Sequence, residues 1–127
     1  MNTRKYISLA RNQAENSTLT DWLIGAVIVK GNKIVGKGYN KYSGKVSGFE
    51  KKYNMNLWSL HAEMNALLNT SIDNLSGAVL FVAGRKKNGN PVNSRPCNKC
   101  LKILSKTNIK KIYYDNKGVI ECILIGD

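Results

Sequence analysis

His61 is the only histidine in the chain, and in SLHAEMNALLN it stands two residues before Glu63. Thirty-six positions after His61 comes Cys97, followed by Cys100, in RPCNKC. Imidazole nitrogen and cysteine thiolate are the ligands zinc prefers, and a catalytic zinc has three protein ligands with a fourth tetrahedral position open to water. His61, Cys97 and Cys100 supply three. Cys122 is the one remaining cysteine; it lies in the apolar run VIECILI and reads as a small buried strand residue, a poor fourth ligand. Three cysteines do not make a disulfide framework, so their spacing carries the information. Cys97 and Cys100, at i and i+3, share one face of a helical turn whose positive dipole end favours thiolate. Two other readings use the same residues: a redox C-x-x-C beside an unrelated histidine, and a non-catalytic structural zinc.

These groups are far apart in sequence, so the elements around them must bring them together. Tyr6, Leu9, Ala10, Gln13 and Ala14 recur at helical spacing and predict a helix over 3–15. WLIGAVIVK, Gly31-Asn32 and KIVGKGYN read as a hairpin with a two-residue, glycine-first turn. A helix is expected over 60–70. AVLFVAG at 78–84 is apolar without alternation, as in a strand covered on both faces. A further helix is expected over 97–106, opened by Pro96, and IKKIYYD, NKG and VIECILIG predict a closing hairpin. A link as short as NKG forces its strands antiparallel. The order α, β, β, α, β, α, β, β places the chain in the α/β class, with about five strands in a mixed sheet covered by helices. Residues 41–59 and 84–96 are longer than ordinary connections, as functional or mobile loops are, and each leads into one half of the ligand set.

The 127 residues, 43% of them hydrophobic, suit one compact domain spanning 1–127. No run is long and apolar enough for a bilayer, and the first residues lack a signal-peptide pattern, so a cytoplasmic protein without membrane contact is expected. The formal net charge is +12. An AT-rich coding bias accounts for abundant Lys and Asn but not for only 8 acidic residues, and the remaining excess is consistent with a phosphate-bearing ligand.

His61-Ala62-Glu63 followed by Pro96-Cys97-x-x-Cys100 resembles the signature of the zinc-dependent cytidine and deoxycytidylate deaminase superfamily, and the element order is similar over most of the chain. The resemblance implies a three-layer α-β-α domain with Zn2+ on His61, Cys97 and Cys100, and Glu63 as general acid–base. It implies hydrolytic conversion of cytosine to uracil. It further implies substrate contacts from Asn40, from the backbone N–H of Ala62, and from Ser94, whose carbonyl would face the exocyclic amine. Trp58, Tyr113 and Tyr114 are candidate stacking partners for the base, with core packing as their other use. Similar enzymes assemble as dimers or tetramers, so a homo-oligomer is expected.

The sequence leaves the substrate open. Residues 30–52 hold seven Lys against one Glu, and 85–117 hold ten basic residues against one Asp. Arg95 and the cluster Arg85-Lys86-Lys87 could grip a phosphate. A cytosine nucleoside or a nucleotide such as deoxycytidylate is the leading expectation, because the closing hairpin resembles the nucleoside-type branch. Single-stranded DNA or RNA, read through a longer basic track, is the alternative, as is a basic zinc module without catalysis. Glu63 argues against the last, since such a module has no use for a carboxylate two residues after its ligand. The interval from His61 to Cys97 departs from compact relatives in being longer, with the surplus in 84–96.

Overall fold

The computed structural model describes residues 2–17, 21–42 and 59–125. Helix α1 (Thr3–Ala14) starts at Asn2, whose side-chain oxygen accepts the Lys5 N–H at 3.1 Å, as a helix cap does. It buries Tyr6, Ile7, Ala10 and Ala14, so Ile7 replaces the expected Leu9 and Gln13 at the centre of the stripe. Strands β1 (Trp22–Lys30) and β2 (Lys33–Tyr39) form the expected hairpin. Both turn residues, Gly31 and Asn32, have positive φ, 58° and 65°, so the turn is type I′, the form that matches strand twist. Short strands β3 (Lys41–Tyr42) and β4 (Ser59–Leu60) pair with each other outside the main sheet. Then come α2 (Ala62–Leu68), a 3-10 turn (Ile72–Asn74), β5 (Val79–Lys86), α3 (Asn98–Leu104), β6 (Lys111–Asn116) and β7 (Val119–Leu124).

The main sheet runs β2-β1-β5-β6-β7, with β5 and β6 as its one parallel pair, joined by the crossover through α3. Side chains alternate across β1 and β5 and divide the core between two faces. Ala26, Ile28, Leu80 and Val82 pack with Ala62, Met64, Ala66, Cys100 and Leu104 beneath α2 and α3. Val27, Val29, Val79, Phe81 and Ala83 pack with Tyr6, Ile7 and Ala10 beneath α1. The result is the expected three-layer α-β-α arrangement with a five-stranded mixed sheet and an antiparallel closing hairpin. Phe81 is fully buried between the layers, as its strand's unbroken apolar run implies.

Gly38 lets α2 sit directly on β2. A Cβ there would lie 2.3 Å from the Ala66 nitrogen and 2.6 Å from the Ala62 carbonyl oxygen. Asn65 fixes the same seat, its side-chain oxygen accepting the Tyr39 N–H at 3.0 Å, and Asn69 donates to the Lys37 carbonyl at 2.9 Å. Helix α2 is thus held by the outward backbone groups of an edge strand, and its first turn is positioned over the ends of β1 and β2.

Two expectations need correction. Cys122 is exposed rather than buried, because β7 is the outermost strand and its burial pattern shows only Ile120 and Ile123 partly covered. Residues 84–96 are not an irregular loop. β5 runs on to Lys86, the chain turns with the Lys86 N–H donating to the Asn90 carbonyl at 2.8 Å, and Arg85 bridges to Pro91. Asn93 then bridges to Asn116, which returns the chain to the sheet. Of the loop expected over 41–59, residues 43–58 lie outside the described residues, and Trp58 with them.

Candidate active site

His61 and Cys97 occupy equivalent places: each is the extended residue that caps a short helix, α2 and α3 respectively. Helix α3 therefore begins one residue later than Pro96 implied. The Cys97 sulfur accepts the Cys100 N–H at 3.3 Å, which orients the thiols toward one point. His61 Nδ1 lies 3.2 Å from Cys100 Sγ and 3.7 Å from Cys97 Sγ. A tetrahedral zinc with ordinary Zn–N and Zn–S bonds sets its nitrogen and sulfur ligands about 3.6 Å apart, so the spacing fits that ion. Among the described residues these are the one group of three His, Cys, Asp or Glu donors within reach of one another, all inside 4.8 Å, and no fourth donor joins them. The positive ends of two helices add to the preference for thiolate at this point.

Glu63 lies in the first turn of α2 and is buried. Burial raises its pKa above the ordinary carboxylate value, while the charge of His61, its own backbone N–H and the Cys100 thiol pull the other way. Cys100 is pushed far up by burial, by the Glu63 carboxylate and by Cys97. A bound dication reverses that push, since coordination deprotonates a thiol outright.

The cavity beside these groups measures about 260 Å3 and is lined by Trp22, Ile24, Asn40, His61, Ala62, Glu63, Asn93, Ser94, Arg95 and Cys97. Of the residues expected to bind metal, catalyse or contact the base, His61, Ala62, Glu63, Asn40, Ser94, Arg95 and Cys97 lie on its wall, and Cys100 is fully buried. Asn40 is buried and tied to the end of β1: its side-chain oxygen accepts the Ile24 N–H at 2.9 Å and its amide donates to the Trp22 carbonyl at 2.7 Å. These two bonds fix which way the amide faces and leave one N–H for a ligand. Ser94 is also buried and acts as a wedge where the β5–β6 ladder ends. Its hydroxyl lies 3.0 Å from the Val82 carbonyl and 2.7 Å from the Asp115 carbonyl, and accepts the Asp115 N–H at 3.1 Å. The Ser94 N–H is engaged as well, donating to the Asp115 carbonyl at 2.9 Å, so among the described residues the Ser94 carbonyl is its one polar group without a hydrogen-bond partner.

Other expectations fall away. Arg85 does not face the cavity; it forms two 2.9 Å bonds to the Glu15 carboxylate on the α1 side of the sheet. Tyr113 stacks on Phe81 at 5.3 Å on that same side, and Tyr114 belongs to the core under α3, so neither is a base platform. Trp22 and Ile24 were missed as wall residues. Strand alternation was the available signal, since Trp22 and Ile24 share a face with Ala26 and Ile28.

The sequence model described as "Cytidine and deoxycytidylate deaminase zinc-binding region" matches residues 1–116. The chain belongs to this family. Zinc is accordingly its cofactor, and His61, Cys97 and Cys100 are positioned to bind it. Among deaminases of the family, a deoxycytidylate deaminase of Mycobacterium phage D29 is 26% identical over 89% of the chain and 93% of its own length. A probable deoxycytidylate deaminase of Caenorhabditis elegans is 29% identical over 87% of the chain, and the human deoxycytidylate deaminase 29% over 86%; the chain spans only 55% and 58% of these two. The dCMP deaminase of cyanophage S-TIM5, solved in complex with dCMP and dUMP, aligns over 89% of the chain and 79% of its own, with a TM-score of 0.63 and 28% identity. A cytidine deaminase from Burkholderia pseudomallei shares the fold over 99% of the chain at a TM-score of 0.71 and 18% identity. Among the described residues, no helix is long and apolar enough to cross a membrane.

Proposed function

We propose that this chain is a hydrolytic deaminase that converts cytosine to uracil in a cytosine nucleotide, deoxycytidylate first among the candidates. The observation that carries the reading is a buried carboxylate, Glu63, on the wall of the same cavity as His61 and Cys97, with Cys100 beside them. His61, Cys97 and Cys100 would hold the zinc, which when bound would supply an acidified water and a Lewis acid next to the base. Glu63 takes a proton from the attacking water, delivers it to the pyrimidine ring nitrogen, and then assists departure of ammonia. Burial raises the Glu63 pKa above the ordinary carboxylate value, the direction that favours holding a proton between the two transfers. The free Asn40 N–H, the Ala62 N–H and the Ser94 carbonyl orient the base edge, and Arg95 supplies positive charge at the wall. The phage enzymes named above support the choice of a nucleotide.

The test is a product assay on cytidine, deoxycytidine, deoxycytidylate and a cytosine-containing single-stranded oligonucleotide, with Glu63→Gln as the blank. Uracil formation from the free nucleotide is expected. Reaction of the oligonucleotide alone would replace the substrate assignment with polynucleotide editing, and no difference from the blank on any compound would end the deaminase reading. We also propose a homo-oligomer. The edge of β7, unpaired among the described residues and with Val119 and Leu124 exposed, supports it, and light scattering after size exclusion tests it.

A further inference from the structure

Beyond Trp22 the cavity wall continues into a second groove of about 440 Å3, lined by Asp21, Trp22, Lys86, Lys87 and Asn88. Trp22 belongs to both, and it is 46% exposed, high for the largest side chain of a folded domain. Pairing between β1 and β5 sets Trp22 directly opposite Lys86. Both residues continue the alternation of Ile24, Ala26 and Ile28 on one strand and of Leu80 and Val82 on the other, so they face the side of the sheet that carries α2 and the zinc ligands. Arg85, one residue earlier, faces the opposite side and is consumed by Glu15. The Lys87 N–H donates to the Asp21 carbonyl at 2.9 Å, which pins the 85–91 turn against the start of β1. Among the described residues, neither the Lys86 nor the Lys87 ammonium is in an ion pair. The one carboxylate in the groove, that of Asp21, leaves it with a net positive charge.

We infer that this groove is a phosphate subsite, in which Lys86 and Lys87 hold the phosphate of a nucleotide whose base lies in the zinc cavity and whose sugar passes over Trp22. The inference rests on the proposed cytosine deamination and says which part of the protein makes a nucleotide better than a nucleoside. Arg95 is the competing cation. It lines the cavity itself rather than this groove, whereas the two lysines line the groove and, among the described residues, are in no ion pair. The strand-to-strand pairing, rather than a flexible loop, sets the distance between base and phosphate sites.

The experiment compares kcat/KM for deoxycytidylate and for deoxycytidine in the zinc-loaded wild type, in Lys86→Ser/Lys87→Ser and in Arg95→Ser. The ratio of nucleotide to nucleoside is expected to fall about tenfold in the double variant, through KM, equivalent to about 1.4 kcal/mol shared by two ammonium groups. Raising salt from about 0.05 M to about 0.3 M should erode the wild-type ratio and leave that of the double variant flat. A double variant that keeps the wild-type ratio while Arg95→Ser loses it would overturn the assignment and move the phosphate to Arg95. A wild type that does not prefer the nucleotide would overturn it as well. Calorimetric binding of deoxycytidylate to the same variants separates this from the deaminase reading. If wild type turns over neither compound, that reading fails, while weaker nucleotide binding by the double variant still supports the subsite and unchanged binding rejects it.

Discussion

Replacing Gly38 by alanine should damage the metal site through α2, the helix that His61 caps and that carries Glu63. The added Cβ would lie 2.3 Å from the Ala66 nitrogen, 2.6 Å from the Ala62 oxygen and 2.8 Å from the Asn65 carbonyl carbon, whereas ordinary contact begins at 3.4 Å. All three are backbone atoms of α2, so no side chain can swing away and the helix must retreat by about 1 Å, an overpacking cost of about 1–3 kcal/mol. His61 caps that helix and Glu63 lies in its first turn. Metal bonds tolerate errors of about 0.2 Å, so a 1 Å retreat weakens zinc binding sharply. A displacement of that size in the acid–base group costs about a hundredfold in rate. The assays are thermal melting, zinc titration against a chromophoric chelator, and uracil formation. Gly31→Ala is the control: nothing lies within 4 Å of its Cβ and its φ of 58° imposes about 1–2 kcal/mol of backbone strain far from α2. Both variants should melt earlier, and only Gly38→Ala should lose zinc affinity and turnover. If Gly38→Ala binds zinc like wild type and retains activity within about twofold, α2 is not seated by this contact and the reasoning fails.

Glu63→Gln should keep one zinc per chain and lose about 10²–10⁴ in kcat, measured by metal analysis and product formation on one preparation. The zinc-stripped protein should melt at a higher temperature near pH 5 than near pH 8. The Glu63 carboxyl is raised by burial, so its contribution is full below the unfolded carboxylate pKa and is lost as pH rises through the folded value. In Glu63→Gln that part of the pH dependence should vanish. Thiol titration of the folded protein should find one reactive cysteine in the zinc-loaded chain, the exposed Cys122, and a second, the half-buried Cys97, after chelation; Cys100, buried and with its thiol pKa raised, should react only on unfolding. Ser94→Ala leaves the buried Asp115 N–H without its acceptor and should cost about 1–3 kcal/mol, read from denaturant unfolding.

Local chemistry made much of this protein legible before any fold was known. The intervals His61–Glu63 and Cys97–Cys100 each lie within about one helical turn, where spacing in sequence is spacing in space, so each half of the site could be read as a unit. The unbroken apolar run at β5 and the short Asn-Lys-Gly link likewise dictated a doubly covered strand and an antiparallel hairpin. Element ends were less legible: α2 and α3 start later than their periodicity suggested because His61 and Cys97 serve as extended caps, and each also ends two residues early, at Leu68 and Leu104.

Long-range choices had no local signature. That β7 lies outermost decides that Cys122 is exposed, although its apolar neighbours read as core. Strand register sends Arg85 to Glu15 and Lys86 to the face of the site, although the three cations 85–87 look alike in sequence. The meeting of His61 with Cys97 and Cys100 also belongs to the fold. The amino-acid order fixes what each turn can bind, because that depends on side chains a few bonds apart; strand order and register fix which turns meet, because those depend on how separate elements cover one another's apolar faces.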